Sequence, residues 1–392
     1  MKKKTLIFAA ASAAMAAGAH AQSSVTLYGI VDAGLTYVSN EASTSSSVTA
    51  NGLSNGKAMF GMTSGNIQQS RWGLRGAEDL GGGLKTVFTL ESGFNVNNGR
   101  TSSNSLFNRQ AYVGLSSNDY GTLTLGRQYD SMVDYLGPIS ATGSWGGTYF
   151  AHPGDNDNLN GTFSISNAVK YQSANYAGFS FSGLYGFSNK AGGFADNRAY
   201  SVGTGYKNGA LQVAAAYLQA QANNLGGFDP SNPNGAIQNS AVLDNVAGMQ
   251  TQRTWGVGAN YAIGPALVGL VFTQSRFQDR LDDVSLRYNN YEINARYDLT
   301  PALFVGGAYT YTQGLRNTPA SGISDNRSAH WNQFSLMADY SLSKRTDIYA
   351  ASIFQIGANN ADGANAAQIN GTDSFSTSRS QVVVTTGIRH RF

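Results

Sequence analysis

Few side chains in this sequence could make or break bonds. There is no cysteine, which excludes a catalytic thiol, thiolate metal sites and disulfides. Beyond residue 21 the only histidines are His152, His330 and His390, a thin supply for zinc or for a Ser-His hydrolase. Gly81-Gly82-Gly83-Leu84-Lys85-Thr86 lacks phosphate-loop spacing and reads as a hairpin turn. Asp155-Asn156-Asp157-Asn158 carries oxygens suited to calcium, but no glutamate completes a calcium loop, so it reads as a solvated loop tip. What remains is placed charge. Arg71 and Arg75 share a parity opposite Trp72 and Leu74, and Lys170 shares one with Gln172 opposite Val169 and Tyr171. Cations on the polar face of strands suit selection of ions along a narrow aqueous path.

Those faces require strands, and the sequence supplies them. Segments of about ten residues alternate apolar and polar with period two. Sixteen are predicted: 24–38, 67–77, 83–95, 106–117, 120–129, 166–175, 177–188, 198–207, 209–219, 252–263, 265–276, 287–298, 301–312, 331–342, 345–357 and 378–392. Phe179, Phe181 and Tyr185 alternate with Ser180, Ser182 and Gly186; Val382, Val384, Ile388 and Phe392 alternate with Thr385, Arg389 and Arg391. The connections alternate between short turns, such as Lys207-Asn208-Gly209, and long loops rich in Ser, Asn, Gly and Asp, such as 39–66 and 220–251. Strands that are greasy on one face, polar on the other and joined in this way predict an all-β, transmembrane antiparallel barrel of sixteen strands around water. Closure is required, because an open sheet edge cannot be satisfied in lipid. A soluble β-sandwich also alternates, but it needs no aromatic residues at the ends of its apolar face.

Composition agrees. Charged residues are 12%, about half the usual share of ~25%. No segment after the first 21 residues reaches 18 consecutive apolar residues, so helical spans are excluded. Residues 1–21 read as a cleavable signal peptide: Lys2 to Lys4, an apolar stretch from Leu6 to Ala17, then Ala19-His20-Ala21, with residues 22–392 as the barrel. Of 26 basic and 23 acidic residues, three lysines leave with that segment, so the mature chain is formally neutral and gives no sign of a nucleic-acid partner. The connection 130–165 holds Met132, Tyr135, Leu136, Trp145, Tyr149 and Phe150, more apolar surface than a solvated loop needs, and is expected to fold into the barrel.

The chain resembles the Gram-negative general-diffusion porins over nearly its whole mature length. The likeness runs through Ser24-Val25-Thr26-Leu27-Tyr28-Gly29-Ile30-Val31-Asp32, Ser70-Arg71-Trp72-Gly73-Leu74-Arg75-Gly76-Ala77-Glu78-Asp79-Leu80-Gly81-Gly82 and Phe107-Asn108-Arg109-Gln110-Ala111-Tyr112-Val113-Gly114-Leu115. It continues in Leu125-Gly126-Arg127-Gln128, Leu342-Ser343-Lys344-Arg345-Thr346-Asp347 and the closing Arg389-His390-Arg391-Phe392. The resemblance implies a passive channel for ions and small hydrophilic solutes, not an enzyme, without cofactor or metal. It implies a homotrimer in outer-membrane lipid and lipopolysaccharide, installed by the barrel-assembly machinery, with the third loop folded inward as a constriction.

The resemblance also carries over to residues. Arg109 matches the family's pore-wall arginine in the fourth strand and joins Arg71, Arg75 and Lys170 as cationic candidates. Asp130 and Asp134, at the start of the third loop, are the acids expected opposite them, with Asp32, Glu91, Glu292 and Asp339 as further lumen acids at other depths. Four cations against two acids imply a mild preference for anions. Arg127 shares parity with Leu123 and Leu125 and should point outward, to headgroups or to a neighbouring subunit as its family counterpart does. Phe392 resembles the family's terminal assembly signal. A substrate-specific channel stays as the alternative, and it would need a continuous aromatic track along the lumen.

Overall fold

In the computed structural model, the described residues are 24–42, 48–49, 52–53, 56–102, 105–222, 236, 249–279, 284–317, 327–358 and 367–392. The expected signal peptide, 1–21, lies outside them. Seventeen strands form one antiparallel sheet. They are β1 (Ser24–Ala42), β2 (Gly56–Ser64), β3 (Arg71–Gly81), β4 (Leu84–Gly93), β5 (Gln110–Ser117) and β6 (Gly121–Gln128). Next come β7 (Ile165–Gln172), β8 (Phe179–Gly186), β9 (Arg198–Asn208), β10 (Leu211–Gln221), β11 (Thr251–Ile263) and β12 (Ala266–Gln278). The rest are β13 (Ser285–Asp298), β14 (Leu303–Asn317), β15 (Arg327–Ser341), β16 (Thr346–Ala358) and β17 (Ser380–Arg391).

Seventeen segments make sixteen staves. β2 and β3 both pair with β1 along the same edge, Ala33 opposite Ser64 and Ile30 opposite Arg71, and are one stave interrupted at 65–70. The expected strand 67–77 therefore starts late, at Arg71, and part of the expected loop 39–66 is strand. The cause is Asp32 on β1. Its buried carboxylate accepts the backbone N–H groups of Ile67 and Gln68, each at 2.8 Å, and the Tyr349 hydroxyl at 2.6 Å. Gly65, at φ +78°, makes the turn out of the wall.

Each stave pairs with its sequence neighbours, and β1 closes on β17 from Ile30–Arg391 to Val38–Val383. Gly29 and Phe392 exchange two backbone hydrogen bonds, of 3.0 and 3.1 Å, that finish the seam. Among the described residues no stave is left with an unpaired edge, the condition for crossing lipid. Leu27, Leu115, Leu125, Leu270, Ile293 and Ile388 are exposed on the outer wall, as parity requires.

The apolar core lies inside the barrel, under the third loop. That loop leaves β6 after Gln128 and turns inward through five short helical turns between Met132 and Asp155. Met132, Tyr135, Leu136 and Ile139 pack on Ala214, Ala216, Leu218 and Val271. Trp145, Tyr149 and Phe150 pack on Met337, Ile353 and Val383. Gly147 is held at φ +84°, where a Cβ would come within 2.4 Å of Ile67 Cα, so the loop passes the 65–70 segment at backbone contact.

Candidate pore constriction

The inward kink and the inward loop face each other. Arg71 opens β3, Arg109 directly precedes β5, and Glu91 on β4 lies between them. Glu91 Oε1 accepts from Arg109 Nε at 2.8 Å, and its Oε2 is 3.6 Å from Arg71 Nε. The Tyr28 hydroxyl donates to the same oxygen, Oε2, at 2.9 Å. Arg109 also donates to Gln69 Oε1, and its guanidinium lies over the Tyr129 ring at 5.6 Å. Arg75 is exposed on the same face nearer the turn, 5.3 Å from the centre of the Tyr28 ring. One carboxylate thus holds two guanidiniums side by side and leaves a local excess of positive charge.

Between this wall and the loop lies a cavity of about 540 Å³. The wall side is Gln68, Gln69, Arg71 and Arg109; the loop side is Val133, Gly137, Pro138, Thr142 and the stretch 159–162. Of the described residues that line it, Arg71 and Arg109 are the charged ones, and none is aromatic.

The expected acids are elsewhere. Asp130 is wholly buried in the root of the loop, where it accepts from Met132 N at 2.7 Å and Asn158 Nδ2 at 2.6 Å. Asp134 is ion-paired with Lys170, whose Nζ also donates to the Tyr129 carbonyl at 2.8 Å. These three residues tie the loop to the wall and do not face the cavity. The expectation of Asp130 and Asp134 across from the arginines is corrected: the acid beside them is Glu91, at the same depth. Its inward parity was readable, but its depth was not. Asp339 is held against Arg389 at 3.3 Å.

Asp155-Asn156-Asp157-Asn158, read from sequence as a solvated tip, is also corrected. All four residues are buried, because the third loop turns into the lumen and these side chains seat it. Asp157 accepts from His152 Nδ1 at 2.6 Å and from the Thr273 hydroxyl at 2.5 Å. Asn156 receives Asn290 Nδ2 at 3.0 Å, and Gln252 donates to its carbonyl at 3.0 Å. Glu292 Oε1 accepts from Ala141 N at 2.8 Å, and its Oε2 is 3.2 Å from His152 Nε2. Burial works against a charge on His152, but Asp157 and then Glu292 outweigh it and push the imidazole up to about 10. Burial and the neighbouring Asp157 push Asp155 up to about 7.

Arg127 stands on the outer face of β6, half-buried, donating to the Asn108 carbonyl at 2.8 Å and Ser166 Oγ at 2.6 Å. Phe392 is exposed at the seam.

A closed sixteen-stave barrel whose lumen is narrowed by its own third loop is a channel of the bacterial outer membrane. The chain belongs to the Gram-negative porins: the model of that family matches residues 9–381. It is 34% identical to an outer membrane porin protein of Bordetella pertussis, over 89% of this chain and 93% of that one. It is 30% identical to outer membrane porin protein 32 of Delftia acidovorans over the whole of both. The anion-selective porin from Comamonas acidovorans superposes with a TM-score of 0.71 at 25% identity, covering 94% of this chain and all of that one. The trimer form of the Vibrio cholerae outer membrane protein OmpT shares the fold at a TM-score of 0.65 and 16% identity. The chain is an outer-membrane porin.

The His152 clamp generates a pH prediction. Its folded-state value is raised above the ordinary ~6.5, so its contribution is complete below about pH 6.5 and is lost as the pH rises through about 10. Open-channel current noise in planar bilayers should be low at pH 7 and grow above about pH 10 as the loop loosens. Glu292→Gln should move that onset to lower pH. Noise that is flat across this range in both proteins would remove the clamp from the account.

Proposed function

We propose that this porin is a general-diffusion pore with a mild preference for anions, its constriction formed by Arg71 and Arg109 against the third loop. The observation that carries the proposal is the lining of the cavity, where these two arginines are the charged side chains. Arg75 extends the positive wall toward the turn side, while Lys170, Asp130 and Asp134 anchor the loop. The anion-selective relative from Comamonas acidovorans supports the same sign. Among the described residues the cavity has no aromatic lining, which favours general diffusion over a substrate-specific track.

Around that pore we place the rest of the sequence reading. Residues 1–21 direct export and are removed, and no step of catalysis is involved. The long loops face outward from the cell and the short turns face the periplasm. Three copies assemble in outer-membrane lipid and lipopolysaccharide with the help of the barrel-assembly machinery. Arg127, pinned to the outer wall of β6, contacts the neighbouring copy, and Phe392 at the seam serves as the assembly signal.

Arg109→Glu should shift the zero-current potential in a KCl gradient toward cation selectivity without abolishing conductance. The wild-type preference should weaken with salt as the Debye length falls from about 10 Å at 0.1 M to about 3 Å at 1 M. An unchanged potential would take Arg109 out of the constriction. Phe392→Ala should lower the yield of heat-modifiable trimer in the outer membrane while export across the inner membrane continues. Normal trimer levels in that variant would withdraw the assembly role.

A further inference from the structure

Two guanidiniums that share one carboxylate repel each other, and each has to be held where it stands. The two arginines at the aperture are held unequally. Arg71 meets Glu91 at 3.6 Å and the Gln69 carbonyl at 3.4 Å. Arg109 has the closer contact with Glu91, at 2.8 Å, and donates to the Gln69 side chain. It also has what Arg71 lacks among the described residues, an aromatic ring: its guanidinium lies 5.6 Å from the centre of the Tyr129 ring. The negative face of such a ring attracts a cation within about 6 Å. Tyr129 is not one of the residues that line the cavity. It touches the charge without facing the path of the ions.

The ring is itself held by the third loop. A Cβ at Gly161 would come within 3.3 Å of Tyr129 Cε1, so the turn around Gly161 rests its backbone against the ring. That turn is tightly bonded. Asp155 Oδ1 accepts from Asn160 N at 3.0 Å, and its Oδ2 accepts from Thr162 N at 3.2 Å and from the Thr162 hydroxyl at 2.6 Å. Asn158 exchanges two hydrogen bonds with the Phe163 backbone, each of 3.1 Å. One residue further on, the Ser164 hydroxyl donates to the Arg109 carbonyl at 2.7 Å. Lys170 Nζ donates to the Tyr129 carbonyl at 2.8 Å, so the backbone of Tyr129 is tied as well as its ring. The turn, the ring and the guanidinium form a continuous chain of contacts from the loop to the wall.

We propose that Tyr129 is a positioning residue for anion selectivity: its ring, backed by the turn around Gly161, holds the Arg109 guanidinium at the aperture. The inference rests on the reading of Arg109 as a selectivity residue given above. An arginine side chain has several rotatable bonds, and fixing it costs conformational entropy. Glu91 offsets part of that cost and the ring face offsets more. Without the ring, the guanidinium spreads over more positions and the positive potential at the aperture falls, although no charge has been removed. What the position requires is a π face. Apolar bulk alone does not supply it, and the phenol hydroxyl is not part of it.

The test is the zero-current potential of the full-length porin in planar bilayers under a KCl gradient. Tyr129→Phe should keep the wild-type preference, and Tyr129→Leu should lower the chloride-over-potassium permeability ratio by about twofold. Phenylalanines carrying one, two and three fluorines, incorporated at position 129, drain charge from the ring face and barely change its shape. They should fold as Tyr129→Phe does, checked as heat-modifiable trimer, and should lower the ratio step by step. In an Arg109→Gln background, Tyr129→Leu should change nothing further. Equal ratios across the fluorinated series, or the same loss from Tyr129→Leu with and without Arg109, would overturn the proposal. Arg109→Gln reports the porin reading separately. If it leaves the potential unchanged, Arg109 leaves the selectivity reading and this inference goes with it. If it shifts the potential while the fluorinated series stays flat, Tyr129 alone is removed.

Discussion

A backbone amide facing hydrocarbon has no water to bond, so a sheet that crosses a membrane has to close on itself. In this porin the closure runs through β1 and β17 and ends in the paired hydrogen bonds of Gly29 and Phe392. Closure fixes register, and register fixes the face of every side chain. Leu27, Leu125, Leu270, Ile293 and Ile388 go to lipid. Asp32, Glu91, Asn290, Glu292 and Gln333 go inward, where they are buried. The polar interior that follows is what allows a loop to be held inside the barrel at all.

The third loop is seated by that interior. Wall groups on β11, β12, β13 and β15 supply donors and acceptors to its backbone and to its buried acids, including Gln333 to the Tyr149 carbonyl at 3.2 Å. Two of the loop's acids meet cations there: Asp134 meets Lys170, and Asp157 meets His152, which also meets Glu292 of the wall. An isolated buried charge would be costly, and a paired, hydrogen-bonded one is tolerated. The consequence for function is an asymmetry. Asp134 and Asp157 of the loop each meet a cation, while Arg71 and Arg109, which line the cavity, share a single glutamate.

Much of the barrel was legible in the sequence because period-two alternation is a local signal. It placed the strands and put Arg71, Arg75 and Lys170 inward from their immediate neighbours. The failures share a cause in long-range pairing. Nothing near Gln69 breaks the alternation; the kink at 65–70 is made by Asp32, on another strand. Asp155 to Asn158 look solvated by composition, yet Thr273 and Asn290, which bond to this stretch, lie more than a hundred residues away. Asp130 and Asp134 were assigned by resemblance, which supplied the segment but not which way each carboxylate turns. Glu91 was recognised as facing inward, but depth within a barrel depends on shear across several strands and cannot be read from one.

The central claim is that the third loop stands docked against the kinked wall and defines the aperture as a static feature. Thr148 N donates to the Asn66 carbonyl at 3.0 Å, which brings the two residues close enough for a bridge in a chain without cysteine. The direct measurement is single-channel recording of the Asn66→Cys, Thr148→Cys double variant before and after reduction. A disulfide that forms spontaneously and leaves conductance and noise unchanged on reduction is the predicted result. Failure to form the bridge, or a conductance that rises when it is reduced, would contradict the account.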